Sequence, residues 1–105
     1  LHHNDYIGLN DIDFKDLKGV MMNYTASTTG KIEVRLDDPE NGTQIGELMV
    51  SPSDGVAGLK ELSGMSDLKF TKGFHAIYFV FKADKVEASA SFKPSVLEFK
   101  FPENM

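Results

Sequence analysis

Residues 30–46 read GKIEVRLDDPENGTQIG and contain two strand signals joined by a turn. In the first half, every second residue from position 32 to position 36 is apolar and the residues between them are charged. This period of two is typical of a β-strand with one face on a core and the other in water. Pro39 and the pair Asn41-Gly42 predict a tight turn, because Pro fixes φ and Asn-Gly tolerates positive φ. A second apolar run follows, so the stretch predicts a β-hairpin in an antiparallel sheet.

Strand signals dominate the rest of the chain as well. Short apolar runs bounded by turn residues predict strands at residues 5–9, 20–26, 31–36, 45–50, 66–70, 76–82 and 96–101. Such a series favours one antiparallel all-β domain over the 105 residues, either a sandwich or a barrel. The apolar positions of these strands give the expected core: Ile7, Leu9, Val20, Met22, Ile32, Val34, Leu36, Ile45, Ile77, Phe79, Phe81, Leu97, Phe99 and Phe101.

The composition argues against several classes of function. The chain has 16 acidic and 11 basic residues and a formal charge of −5, and the basic residues are dispersed. Nucleic-acid binding needs clustered positive charge, so no nucleic-acid partner is expected. Cysteine is absent, which excludes a disulfide, a thiolate metal site and a thiol nucleophile. No apolar run approaches the ~20 residues of a membrane helix, so no membrane partner is expected.

Residues 30–46 also resemble the middle of a family 6 carbohydrate-binding module, which carries a strand G-x-I-E-V-R-L-D, a turn P-x-x-G-T and an I-G step. Three more segments resemble that family in the same order: residues 4–7 (NDYI) its nGDYi segment, residues 72–82 (KGFHAIYFVFK) its tGvhdlylvFkg strand, and residues 96–101 (VLEFKF) its closing ldwfeF strand. The resemblance implies a jelly-roll-like sandwich that binds a sugar and catalyses no reaction. The family has strands before its nGDYi segment, so the resemblance also implies an N-terminally truncated piece of a larger multidomain protein.

In the resembling family, aromatic side chains stack on the sugar at a loop end of the sandwich. One comes from the nGDYi segment, and Tyr6 occupies that position. Another comes from a loop that corresponds to residues 55–59, where this chain has no aromatic residue, and Trp is absent throughout. An Asn before the closing strand falls on Ser95 or Val96, and Glu98 stands where the family carries Trp. The resemblance therefore implies a loop-end site that has Tyr6 as its only aromatic platform.

One face of the predicted sheet is a second candidate for sugar binding. We expect two aromatic rings and three charged side chains to line a groove on this face: Tyr24, Tyr78, Glu33, Arg35 and Glu47. The alternative is that these charged residues only form a solvated face, and that Tyr6 is a half-buried sheet residue. Taken over both sites, the candidate sugar-binding residues are Tyr6, Tyr24, Glu33, Arg35, Tyr78 and Glu98.

No cofactor, metal ligand or catalytic group is expected. The resembling family commonly holds a structural calcium ion, but the position of its Asp ligand in the closing strand falls on Leu97, or on Glu98 if the register slips by one. A catalytic triad needs a base His held by a carboxylate. His75 is the only internal His and begins a predicted strand, so no triad can be assembled.

The favoured function is a non-catalytic carbohydrate-binding module of a bacterial protein that processes polysaccharide and is secreted, periplasmic or at the cell surface. The alternative is a structural or interaction β-sandwich without a sugar ligand, which the absence of Trp favours and the retained Tyr6 opposes. The expected partners are a polysaccharide or oligosaccharide and a neighbouring domain of the parent protein. An open sheet edge in place of the family's first strands also predicts a weak homodimer.

Overall fold

The computed structural model describes residues 1–15, 17–52, 62–68, 73–86 and 90–100, and for residues 62–67 it describes the backbone alone. Seven strands lie in this part of the chain: β1 (Tyr6–Asp13), β2 (Gly19–Ala26), β3 (Gly30–Leu36), β4 (Gln44–Val50), β5 (Leu62–Asp67), β6 (Phe74–Ala83) and β7 (Phe92–Lys100). The predicted all-β class is confirmed. The described ranges contain no helix of the length and apolarity that crossing a membrane requires.

The strands form two antiparallel sheets. One sheet has four strands in the order β1-β6-β3-β4, and the other has three in the order β5-β2-β7. The hairpin predicted from residues 30–46 is β3 with β4, in which Ile32 lies opposite Leu48. The other side of β3 pairs with β6, where Val34 lies opposite Phe79. The centre of the four-stranded sheet is therefore built from the stretch that carries the clearest sequence pattern.

Apolar side chains from both sheets form one buried cluster between them. Eight of the expected core residues are buried there: Val20, Met22, Ile32, Val34, Ile45, Ile77, Phe79 and Phe81. Four more are partly buried against the cluster: Leu9, Leu36, Leu97 and Phe99. Ile7 is half-buried and lies outside the cluster, and Phe101 lies outside the described residues.

Three large core residues lie where the sequence pattern gave no strand. Phe14 and Leu17 belong to the connection from β1 to β2, and Phe92 opens β7; none is more than 3% exposed. The connection turns tightly, because the Leu17 N–H donates to the Phe14 carbonyl at 3.1 Å. The Phe14 N–H in turn donates to the Gly73 carbonyl at 3.0 Å, which fixes the connection beside the start of β6. Hydrogen bonds between distant segments, rather than local periodicity, place these side chains inside.

Three strands differ from the predicted ranges by four residues at one end. β7 begins four residues early, at Phe92, and includes Pro94; β7 is an edge strand, where the missing N–H of Pro is tolerated. β5 occupies residues 62–67 rather than 66–70, because pairing with β2 decides its position and not its own composition. β1 continues past Leu9 to Asp13 through an irregularity in its pairing with β6, where Asp11 has a φ of 56°. Such a bulge interrupts the alternation on which the prediction depended.

Candidate functional site

One face of the four-stranded sheet is turned away from the core and carries aromatic and charged side chains. The core takes every second side chain of β6, namely Ile77, Phe79 and Phe81. Because side chains alternate along a strand, those between them lie on the opposite face, which we call the outer face. With the cross-strand pairs, the outer face includes Tyr6 and Gly8 of β1, Tyr78, Val80 and Lys82 of β6, Lys31, Glu33 and Arg35 of β3, and Glu47 and Met49 of β4.

Two tyrosine rings meet on the outer face. The ring centroids of Tyr6 and Tyr78 are 5.5 Å apart and the ring planes make an angle of 76°, an edge-to-face contact. Tyr78 lies across Gly8 of the neighbouring strand, where a Cβ atom would come within 2.6 Å of its ring. Tyr6 remains 50% exposed. Gly8 thus leaves room for the Tyr78 ring on the sheet, and the Tyr78 ring contacts the ring of Tyr6, which faces solvent.

Charged side chains form a paired network beside the tyrosines. Glu33 is 7% exposed, and its Oε1 accepts hydrogen bonds from Nη2 of Arg35 at 2.8 Å and from Nε at 3.1 Å. Lys31 Nζ lies 3.6 Å from Oε2 of Glu33 and 3.8 Å from Oε2 of Glu47. Carboxylates and cations therefore alternate across the centre of the outer face.

The protonation of Glu33 is set by two opposing effects. Burial raises the pKa of the Glu33 carboxyl, because the charged form loses contact with water. The hydrogen bond from Arg35 and the charges of Arg35, Lys31 and Lys82 together outweigh burial and hold that pKa below its ordinary value. Glu33 is consequently ionised at neutral pH and available as a hydrogen-bond acceptor.

The turn between β3 and β4 differs from the predicted one in its backbone. Positive φ was expected at Asn41-Gly42, but neither residue adopts it, and Asp37 does instead with a φ of 66°. Asp tolerates the left-handed region, and here its carboxylate is held by β6. Oδ1 of Asp37 accepts the Ala76 N–H at 3.1 Å, and Oδ2 lies 3.0 Å from Nδ1 of His75. The turn is therefore anchored to the sheet at its first residue.

Gly42 is required in this turn for steric reasons. A Cβ atom at Gly42 would lie 2.0 Å from the Leu36 carbonyl oxygen and 2.4 Å from that of Asp38. Asp38 holds the turn closed, since its backbone carbonyl accepts the Gly42 N–H at 3.1 Å and its Oδ2 accepts the N–H groups of Glu40 and Asn41. The turn also contacts the outer face, because Nη1 of Arg35 donates to the Gly42 carbonyl at 2.8 Å.

A groove of about 190 Å³ lies between the turn and the outer face. Its lining residues come from the N-terminal segment, β1, the turn and β6: Asn4, Tyr6, Pro39, Glu40, Val80 and Lys82. Val80 is 2% exposed although it does not belong to the core cluster, so the residues around the groove cover its side chain. Nζ of Lys82 donates to Oδ1 of Asn4. The groove thus combines an exposed aromatic ring with an amide, an ammonium and a carboxylate.

The structure brings most of the predicted site residues to one place. Tyr78, Glu33, Arg35 and Glu47 share the outer face, as the sheet-face hypothesis required. Tyr6, the first residue of β1, lies there too, opposite Val80. The aromatic residue of the loop-end hypothesis is therefore on the same face as the residues of the sheet-face hypothesis. The loop positions 55–59 of the loop-end hypothesis lie outside the described residues.

Two predicted site residues lie elsewhere. Placing Tyr24 on the same face was wrong: it is 3% exposed, its ring stacks on Phe92 with centroids 5.0 Å apart, and its hydroxyl accepts the Ser51 N–H at 3.0 Å. Tyr24 follows Met22 by two residues and therefore points into the core with it. Glu98 lies on β7 in the other sheet, where its Oε1 accepts a 3.0 Å hydrogen bond from Lys100.

Five groove residues were not predicted from the sequence: Asn4, Pro39, Glu40, Val80 and Lys82. For Lys82 a signal existed, since it is four residues from Tyr78 on the same strand and so shares its face. For Pro39 and Glu40 no local signal existed, because a turn residue lines a site only if the turn folds back over the sheet. Among the described residues, no group of three His, Cys, Asp or Glu side chains could hold a metal ion. The expectation about calcium stays a prediction.

Comparison with solved structures finds the same fold in sugar-binding modules. A family 6 carbohydrate-binding module from Clostridium cellulolyticum, solved in complex with xylose, matches 95% of this chain and 74% of its own, with 26% identity and a TM-score of 0.80. A β-1,3-glucan-binding family 6 module from Bacillus halodurans matches 95% of this chain and 72% of its own, with 20% identity and a TM-score of 0.81. The resemblance to this family, predicted from sequence, is confirmed over most of the chain.

The same fold also occurs inside a larger enzyme. A family 43 arabinoxylan arabinofuranohydrolase from Bacillus subtilis, solved with cellotetraose, matches 97% of this chain with 24% identity and a TM-score of 0.81. This chain spans only 20% of that enzyme's length. No protein-family model and no curated protein matches the sequence.

Proposed function

We propose that this chain is a non-catalytic carbohydrate-binding module whose sugar lies in the groove on the outer face. The half-exposed ring of Tyr6 beside the polar groups of the groove is the observation that carries the proposal. An aromatic ring stacks on the apolar C–H face of a pyranose, while polar side chains around it bond the hydroxyl groups. The groove offers both at once.

Each part of the site has a role in this proposal. Tyr78 holds the Tyr6 ring in place through the edge-to-face contact. Lys82 and Asn4 donate to sugar hydroxyls, since an ammonium has three donors and an amide two. Glu40 accepts from hydroxyls on the turn side of the groove. Glu33 and Arg35 support the floor, because Arg35 ties the turn to the sheet.

The expected ligand is a neutral β-linked glucan or xylan. The outer face and the turn carry three cations, Lys31, Arg35 and Lys82, against five carboxylates, Glu33, Asp37, Asp38, Glu40 and Glu47, so this region is net negative and does not attract an acidic sugar. The whole chain, at −5, repels one. The similar structures include one solved with xylose, one solved with cellotetraose and one that binds β-1,3-glucan, and these ligands support the same choice.

The proposal extends to the parent protein. The fold is found as a fifth of an arabinoxylan-degrading enzyme, which supports an accessory module in a bacterial polysaccharide-processing protein. Its substrate is outside the cell, so we place the protein in a secreted, periplasmic or cell-surface location. The module concentrates the protein on polysaccharide, and catalysis belongs to another domain.

Affinity electrophoresis in gels that contain β-glucan, xylan or laminarin tests this proposal. The wild-type domain should be retarded in at least one gel. Tyr6→Ala should weaken retention by at least about tenfold, because it removes the stacking surface. Tyr6→Phe keeps the ring and should keep most of the retention. Since Tyr6 is half-exposed, both variants should unfold at a temperature close to that of the wild type.

Two outcomes would count against the proposal. Retention of Tyr6→Ala at the wild-type level would remove the groove as the site. A wild-type domain that is retarded in none of the gels would favour the alternative, a structural or interaction sandwich without a sugar ligand.

A further inference from the structure

We propose that the outer face binds an extended oligosaccharide, with a second subsite formed by Phe74 and Asp13 beyond the groove. This inference rests on the proposed function. It concerns the end of the sheet opposite Lys82 and Asn4.

Phe74 lies on the same face as the groove. It is the first residue of β6, four residues before Tyr78, so the two side chains point to the same side of the sheet. At a rise of about 3.4 Å per residue, their Cα atoms are roughly 13 Å apart. Ala76, the residue between them on this face, is small. A linear sugar chain along β6 therefore meets no large β6 side chain between the two rings.

The exposure of Phe74 is not explained by packing. Phe14, Phe79, Phe81 and Phe92 are each 1% exposed or less, whereas Phe74 is 68% exposed. An exposed ring of this size contributes nothing to the core, and its apolar surface stays in contact with water, which is unfavourable. It is therefore a candidate for contact with a ligand.

Asp13 supplies the polar part of the subsite. It is the cross-strand partner of Phe74, so both side chains project from the same face. Oδ1 of Asp13 accepts the backbone N–H of Lys15 at 3.0 Å, which fixes the carboxylate beside the ring. A ring with a fixed hydrogen-bond acceptor has the same chemistry as Tyr6 with its polar neighbours. The strand and face shared with the groove residues, together with this match in chemistry, point to the same neutral sugar chain as the occupant.

Dependence on chain length distinguishes this arrangement from a single site. A disaccharide that stacks on Tyr6 is too short to reach Phe74, whereas a hexasaccharide spans both. The domain should therefore bind the hexasaccharide more tightly than the disaccharide, and the difference should depend on Phe74.

Isothermal titration with cellohexaose and cellobiose tests the inference, or with xylohexaose and xylobiose if xylan is the polymer retained. Phe74→Ala should weaken hexasaccharide binding by about tenfold and disaccharide binding by less than about twofold. Val96→Ala is the matched control, because Val96 is an exposed apolar residue on β7, in the opposite sheet. It should change neither affinity.

The outcomes separate the inference from the proposed function. If Tyr6→Ala abolishes binding but Phe74→Ala leaves the hexasaccharide affinity unchanged, the second subsite is refuted and the groove stands. If the wild type binds neither sugar and is retarded in none of the gels, both proposals fail. If Phe74→Ala instead abolishes a dimer seen by sedimentation and leaves sugar binding intact, Phe74 is a protein contact, which also overturns the inference.

Discussion

Glu33 shows how a single side chain can organise a face of a sheet. It is ionised and buried; its Oε1 accepts a hydrogen bond from Arg35, and its Oε2 lies 3.6 Å from Nζ of Lys31. Arg35 then reaches the turn through the Gly42 carbonyl. The Glu33 carboxylate therefore holds the Arg35 guanidinium, which positions the turn that forms one wall of the groove. Loss of this carboxylate should lower both the stability of the fold and the affinity for sugar.

The pKa of Glu33 predicts an acid-dependent contribution to stability. Because that pKa is lower in the folded chain than in the unfolded one, Glu33 stabilises the fold above its ordinary pKa of 4.5. The contribution is lost as pH falls through the lower, folded value. Glu33→Gln should therefore be less stable than wild type at pH 7, and the difference should shrink as the pH is lowered below 4.5.

Urea denaturation across this pH range, followed by tyrosine fluorescence, measures the difference. Glu98→Gln is the control: Glu98 bonds Lys100 on an exposed strand, and such surface pairs contribute about 0–1 kcal/mol. A Glu33→Gln deficit that stays constant as the pH is lowered would show that the buried carboxylate does not act through its charge.

At the residue scale, strand alternation predicted much of the site but did not assign each residue to a sheet. Glu33, Arg35 and Tyr78 were grouped correctly because they lie on adjacent paired strands with a clear period of two. Tyr24 was misplaced against the period of its own strand, because it shares a face with Val20 and Met22, which were predicted to lie in the core. In addition, β2 belongs to the other sheet.

The β3–β4 turn is the element that converts an open sheet face into a groove. Asp37, its first residue, accepts a hydrogen bond from the Ala76 N–H of β6. The Asp38 carbonyl accepts the Gly42 N–H, and the Gly42 carbonyl accepts a hydrogen bond from Arg35. The sequence predicted that a turn would form here, since Pro39 and Gly42 mark it clearly. It did not predict that the turn folds over the sheet, because that depends on bonds to Ala76 and Arg35.

Gly42→Ala should disrupt this element. The added Cβ would come within 2.0 Å of a backbone carbonyl, so the turn must move, at a cost of about 1–3 kcal/mol. For a domain of this size each kcal/mol lowers the melting temperature by roughly 4–8 °C. Calorimetry should show this decrease, and sugar retention should weaken because Pro39 and Glu40 are displaced.

Thr43→Ala is the control for the turn, because Thr43 is exposed and bonds Leu36 through its backbone carbonyl. It should melt near the wild-type temperature. A Gly42→Ala variant as stable as Thr43→Ala would mean that the turn accommodates the methyl group and does not depend on close approach at this position.

At the scale of the whole molecule, the fold was predictable because the sandwich repeats one simple pattern. Four of the seven strands, β2, β3, β4 and β6, were found from periodicity with boundaries within two residues of the observed ones. β5 and β7 were displaced because they are edge strands whose extent depends on β2 rather than on their own composition. Weak self-association through an exposed edge such as β1 stays a prediction.

The central claim is that the sugar lies on the outer face of the four-stranded sheet. An NMR titration of the ¹⁵N-labelled domain with the oligosaccharide that it retains tests this claim most directly, because each backbone amide reports separately. We predict that the largest shifts occur at Tyr6, Glu40 and Lys82, with the core amide of Tyr24 and the opposite-sheet amide of Glu98 nearly unmoved. Shifts concentrated at Glu98 or at residues 55–59, with Tyr6 and Lys82 unchanged, would contradict the claim and return the site to a loop end of the sandwich.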